Sequence, residues 1–90
     1  MKNKTMKTTK TLLYFGAEWC SSCKAIKPIV EAEAPALGYE IEYIDLDTED
    51  GGMQADEMRV RSLPTLILLD EDGAEIRRAS GNTAWVELRK

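Results

Sequence analysis

The stretch T-L-L-Y-F-G-A-E-W-C-S-S-C-K (Thr11–Lys24) contains the change of pattern that decides how this chain folds. Thr11–Gly16 is a short apolar run with two aromatic residues, which reads as a buried strand. Beyond it, Ser21 or Ser22 can cap a helix. Ile26, Ile29, Val30, Ala34 and Leu37 then recur at helical spacing up to Gly38, a C-terminal stop. Pro28 falls inside that pattern, where it removes one helical hydrogen bond and predicts a kink. Pro35 predicts an early end to the regular helix, or a second kink. Cys20 and Cys23, the only two cysteines of the chain, lie where strand passes into helix.

Outward from this unit, Ile41, Tyr43, Ile44 and Leu46 form a second strand. Glu40, Glu42 and Asp45 alternate against them, so one face is partly exposed. Thr48–Gly52 breaks the pattern, and Met53 to Val60 reads as a short helix of weak periodicity. Ser62-Leu63-Pro64 is a turn or strand entry, because a residue before proline avoids helical angles. Thr65–Leu69 is an apolar strand, and Asp72-Gly73 signals a two-residue hairpin into Ala74–Ala79. After Gly81-Asn82, Thr83–Arg89 forms a last helix with Trp85, Val86 and Leu88 on its apolar face. The order is β-α-β-α-β-β-α, an α/β domain with a four-stranded mixed sheet and helices on both faces. Its first two strands run parallel through a right-handed crossover, and its last pair is antiparallel. Residues 1–10, with four lysines, read as a basic tail ahead of a single domain over 11–90.

Ninety residues allow one core. Apolar and charged fractions of 43% and 31% are those of a soluble globular domain. No apolar run approaches the ~20 residues that cross a bilayer, so no membrane association is expected. The lysines of the tail lead straight into the first strand, without the apolar segment and cleavage site of a signal peptide. A cytoplasmic location is therefore expected, and there a close cysteine pair is redox-active or metal-binding more often than it is a staple. Glu40 to Glu57 holds eight acids and no base. This run is either a solvated face or a steering field for a basic partner. The chain has no clustered basic face, which excludes nucleic acid.

Three readings of Cys20 and Cys23 compete: a structural staple, half of a zinc site and a working dithiol. Zinc needs four ligands, and a chain with no histidine offers two soft ones, so only a dimer sharing its cysteines would close the site. A bond closing so small a loop constrains the unfolded chain little. A helix N-terminus carries unpaired N–H groups and partial positive charge, both of which favour thiolate. On the dithiol reading Cys20 attacks and Cys23, one turn deeper, resolves the mixed disulfide.

F-G-A-E-W-C-S-S-C-K (Phe15–Lys24), Pro28 and S-L-P-T (Ser62–Thr65) together resemble the thioredoxin family, over most of the chain from Thr11 onward. The resemblance implies a minimal thioredoxin-like fold and an enzyme that reduces protein disulfides. It assigns Cys20 as the exposed nucleophile and Cys23 as the resolving thiol. Trp19 matches the aromatic beside the nucleophile, and Pro64 matches the family's cis-proline, which packs against the disulfide. The Leu63 backbone is then expected to pair with an extended substrate segment, on a surface that Gly81 keeps flat. Expected partners are disulfide-containing proteins and a thioredoxin reductase or similar donor, since no G-x-G-x-x-G fingerprint supplies flavin or nicotinamide. No cofactor or metal is expected beyond the redox disulfide, and the protein is expected to be a monomer.

The chain departs from the family's pattern in three places. Ser21-Ser22 stand where general reductants carry Gly-Pro, and with Lys24 they are expected to tune the pair. Hydroxyl hydrogen bonds to a thiolate would make it more oxidising than thioredoxin. Tyr14 occupies the position of a buried aspartate that relays the proton of the resolving cysteine. A phenol with a pKa near ~10 is a poor base, so resolution by Cys23 should be slow or depend on solvent. Glu18 and Asp45 are carboxylates that would have to substitute through water. Gly16 stands where the family often has a second tryptophan. Two alternatives remain beside the reductase: a glutaredoxin-like enzyme recharged by glutathione, and a docking module whose disulfide is incidental. Against the glutaredoxin reading, Gly81-Asn82 lacks a paired glycine and aspartate.

Overall fold

In the computed structural model, which describes residues 9–90, the expected order of elements is present. The strands are β1 (Lys10–Gly16), β2 (Tyr39–Asp45), β3 (Thr65–Leu69) and β4 (Glu75–Ser80). The helices are α1 (Ser21–Glu33), α2 (Glu49–Glu57) and α3 (Ala84–Leu88). Residues 1–8 of the basic tail lie outside the described residues, and Lys10 opens β1. The sheet has the order β2-β1-β3-β4. β1 runs parallel to β2 and antiparallel to β3, and β3 runs antiparallel to β4.

β1 is a central strand covered on both faces, which explains an apolar run without polar alternation. Leu12 and Tyr14 point into a core with Ile26 and Val30 of α1 and Trp85 and Leu88 of α3. Leu13 and Phe15 point the other way, into a core with Ile44, Ile67 and Ala55 of α2. At the far end of α1, the Trp85 indole N–H donates to Glu33 Oε1 at 2.7 Å, and the Arg89 guanidinium donates to the same oxygen. These donors hold the Glu33 carboxyl below its usual range and tie α1 to α3.

Helix α1 continues through Pro28 to Glu33, and a 3₁₀ turn over Pro35–Leu37 leads to Gly38 at φ +85°. The early end at Pro35 is as expected. The other two irregular segments differ from the sequence reading. The Asp72-Gly73 signal does not make a two-residue hairpin, since Leu69 pairs with Glu75 across a five-residue loop. The Asp70 carboxylate accepts the N–H groups of Asp72 and Ala74, which organises this wider turn.

Helix α2 starts at Glu49, inside the segment read as a break. Thr48 caps it, accepting the Gly51 N–H at 2.9 Å and donating to the Asp45 carbonyl at 2.7 Å. Gly51 is needed because this helix end presses on β2: a Cβ there would overlap the Asp45 carbonyl oxygen. Glycine is thus kept for close approach rather than for chain reversal. Gly51→Ala is expected to lower stability by about 1–3 kcal/mol, the usual cost of overpacking. Gly52→Ala, whose Cβ would meet only the Leu46 carbonyl at ordinary contact distance, should leave the denaturant midpoint unchanged or raised.

Candidate active site

Sheet register gathers the candidate residues at one end of the fold. Gly16 pairs with Asp45, Phe15 with Thr65, and Thr65 with Ser80. The cysteine loop after β1, Pro64 before β3 and Gly81 after β4 therefore share an edge. The Leu63–Pro64 bond is cis, the isomer expected from the resemblance. The Pro64 carbonyl accepts the Gly81 N–H at 2.9 Å, and Gly81 has φ +88°, which favours glycine. Thr65 Oγ1 donates to the Ser62 carbonyl at 2.6 Å and lies 3.1 Å from Ser80 Oγ. The Leu63 side chain packs against the α2-side core, which fixes the turn before the proline.

Cys20 and Cys23 are disulfide-bonded, with Cα atoms 5.3 Å apart. The cap of α1 is neither serine. Cys20 itself is the N-cap, in extended conformation, and its Sγ accepts the Cys23 N–H at 3.2 Å. An orphan helix donor is thus aimed at the Cys20 sulfur, an arrangement that favours negative charge there. Ser21 is exposed and Ser22 half-buried. Among the described residues, the hydrogen bond to the Cys20 sulfur comes from this backbone N–H. Cys20 is 8% and Cys23 4% exposed, so Cys20 is the more open of two largely buried residues.

Trp19 stands out at 69% exposure. Its indole N–H donates to Asp47 Oδ1 at 3.0 Å, fixing the ring beside the pair against the middle of the acidic segment. Asp47 was not among the residues expected at the site. It is 28 positions away in sequence, and only the acidic run hinted at it.

Tyr14 is buried beneath the pair, and its hydroxyl donates to the Cys23 carbonyl at 2.5 Å. Its ring meets that of Tyr43 at 5.5 Å. Burial, and secondarily the Glu31 carboxylate, push its pKa up to about 12, so at neutral pH even less of it is phenolate, the form that could take a proton, than of a free phenol. Tyr43 is also pushed up to about 12, by burial first, then by its hydrogen bond to Glu31, the Glu31 charge and Tyr14. Both phenols hold their protons more tightly in the folded chain. Their contribution to stability is therefore complete below about pH 10 and is lost as pH rises through about 12. Urea midpoints measured across this window should fall in the parent and fall less steeply in Tyr14→Phe.

A cavity of about 330 Å³ opens behind Cys23, and Gly16, Tyr14, Lys24 and Asp45 are among its walls. Glu18, Lys27 and Tyr43 also line it. Lys27 Nζ sits 4.9 Å from the Tyr43 ring centroid. Lys27 was missed by the sequence reading, although it lies one helical turn after Cys23 and so shares its face. Among the described residues no group of three or more His, Cys, Asp or Glu side chains is placed to hold a metal. No described helix is long and apolar enough to cross a membrane.

The family model described as Thioredoxin matches residues 2–90. The chain is 41% identical over 70 residues to a thioredoxin of Chlamydia muridarum, covering 78% of this chain and 67% of the relative. Among solved structures it resembles Fasciola hepatica thioredoxin, with TM-score 0.79 and 32% identity over 92% of this chain and 77% of that one. A mutant thioredoxin from Halobacterium salinarum is also similar, with TM-score 0.76, 30% identity, and 89% and 68% coverage.

Proposed function

The chain belongs to the thioredoxin family, and from that membership we infer a thiol–disulfide oxidoreductase that reduces protein disulfides through Cys20 and Cys23. The Cys20 thiolate attacks one sulfur of a substrate disulfide, breaking that bond, joining Cys20 to the substrate and expelling the other substrate sulfur as a thiolate. Cys23 then loses its proton and attacks the Cys20 sulfur. The second substrate thiolate leaves and the Cys20–Cys23 disulfide forms. An external dithiol donor returns two electrons, a thioredoxin reductase or similar enzyme. Thioredoxins need no cofactor for this exchange.

The hydrogen bond from the Cys23 N–H to the Cys20 sulfur carries this reading. It aims a helix N-terminus at Cys20, the more open residue of the pair, which lowers the cost of the thiolate there. Trp19, the Leu63–Pro64 turn and Gly81 provide the surface on which an extended substrate segment pairs. Ser21, Ser22 and Lys24 tune the pair. Cytoplasmic residence and a monomeric state complete the proposal. The family model and the relatives described above, which are thioredoxins, do not favour the glutaredoxin alternative.

A redox titration of Cys20–Cys23 against glutathione tests the direction of electron flow. The expected potential lies above thioredoxin's −270 mV but well short of the −120 mV of a strong oxidant, both approximate (~) values. A value near the upper figure would overturn the reductase assignment.

A further inference from the structure

We propose that Cys23 has an entrance of its own, through which the reduced protein takes low-molecular-weight disulfides on the side away from its protein substrates. The proposal rests on the dithiol chemistry inferred above and adds a second substrate class to it. Cys23 lines the 330 Å³ cavity, whereas Cys20, Trp19 and Pro64 do not. Gly16 makes the opening: a Cβ there would stand 3.3 Å from Cys23 Sγ and 3.0 Å from the Tyr14 ring. A side chain at this position would crowd the Cys23 sulfur and the Tyr14 ring, where glycine leaves space.

Size and lining select the ligand. A volume of about 330 Å³ is at the small end of sites for small molecules, and a folded substrate cannot enter it. Tyr14 and Tyr43 offer ring surface for the apolar part of a small disulfide. Lys24 and Lys27 bring cations, and Glu18 and Asp45 bring anions. A disulfide with short polar or charged arms matches this lining. Cys23 gives its proton to solvent and attacks one sulfur of the small disulfide R–S–S–R, the S–S bond breaks and one RS⁻ leaves. The Cys20 thiolate then attacks the Cys23 sulfur, expels the second RS⁻ and forms the Cys20–Cys23 bond. The dithiol loses two electrons, and two thiols carry them away once the thiolates take up protons.

Cys20→Ala isolates the Cys23 thiol for a test. Mass spectrometry follows mixed-disulfide formation with hydroxyethyl disulfide and with a polyethylene-glycol pyridyl disulfide, in buffer and in concentrated urea. In buffer Cys23 should react with the small probe within about tenfold of its urea rate, and with the bulky probe at least about a hundredfold below it, since an enclosed thiol is otherwise inert. In the same background, Ala17→Trp, which adds bulk to the cavity wall, and Gly16→Ala should each slow the small probe by about tenfold or more. Circular dichroism reports whether each variant is folded. If Gly16→Ala is not, Ala17→Trp carries the comparison. Equal exclusion of both probes overturns the proposal, as does an unchanged small-probe rate in folded Ala17→Trp. A parent that reduces insulin while Cys23 excludes the small probe overturns the entrance alone. A parent inert towards insulin overturns the function itself.

Discussion

Cys20→Ser is expected to abolish insulin reduction with dithiothreitol as donor, lowering the rate to at most about a thousandth of the parent's protein-dependent rate. A hydroxyl in place of the attacking thiolate cannot form the mixed disulfide, so nothing downstream proceeds. Cys23→Ser should fail differently. Cys20 keeps its place at the helix cap, so attack continues and the substrate stays joined to Cys20. Mass spectrometry should show this adduct accumulating in Cys23→Ser and absent from Cys20→Ser. Two inactive variants, of which one accumulates an adduct, would assign the roles of the sulfurs. Adduct formation in Cys20→Ser instead would reverse them. A docking protein with an incidental disulfide would show neither loss, because neither variant would remove an activity.

The placement of the two sulfurs was legible in the sequence because the motif is local. Strand, turn and helix follow one another within Thr11–Glu33, so spacing alone places Cys23 one turn inside α1 and Cys20 at its mouth. The capping group was not legible. Serine is a habitual N-cap and cysteine is not, yet backbone geometry at Cys20 decides the matter. The start of α2 was hidden for a related reason. Gly51-Gly52 reads as a break when viewed along the chain, but Gly51 answers to the Asp45 carbonyl of β2, a neighbour that only the folded chain supplies. Asp70 likewise turns a hairpin signal into a wider loop by accepting two N–H groups.

The cavity shows the same limit at the site. Gly16, Lys27 and Tyr43 come from β1, α1 and β2, and no window along the sequence holds all three. The missing tryptophan at Gly16 was visible as a departure. That its absence opens a route to Cys23 follows only from the register of Gly16 against Asp45 and from how close Cys23 Sγ lies to where a side chain at Gly16 would begin.

Tyr14→Asp should speed resolution and weaken the fold, and the two effects come from the same buried position. Tyr14 belongs to the core against α1 and α3, and its hydroxyl partners the Cys23 carbonyl. Replacing it with aspartate removes a packed ring and buries a carboxyl group, which together should cost about 3–5 kcal/mol at neutral pH. Burial raises the pKa of the new carboxyl towards neutrality. Its raised folded pKa makes the linked stability complete below the unfolded aspartate value near ~4, and lost as pH rises through the folded value. Tyr14→Asp should therefore lose stability with rising pH in the acid-to-neutral range, whereas the parent's phenols lose theirs only above about pH 10. A carboxylate of nearly neutral pKa is also a competent base for the Cys23 thiol, which a phenol pushed up to about 12 is not. Resolution, followed in single turnover by Trp19 fluorescence, should accelerate by at least about tenfold near pH 7, at the low end of general-base effects. Tyr14→Phe separates the two contributions, since it loses the hydrogen bond without gaining a base. It should be destabilised by about 1–2 kcal/mol and resolve at the parent's rate. A folded Tyr14→Asp that resolves no faster than Tyr14→Phe would show that proton removal from Cys23 does not limit this enzyme.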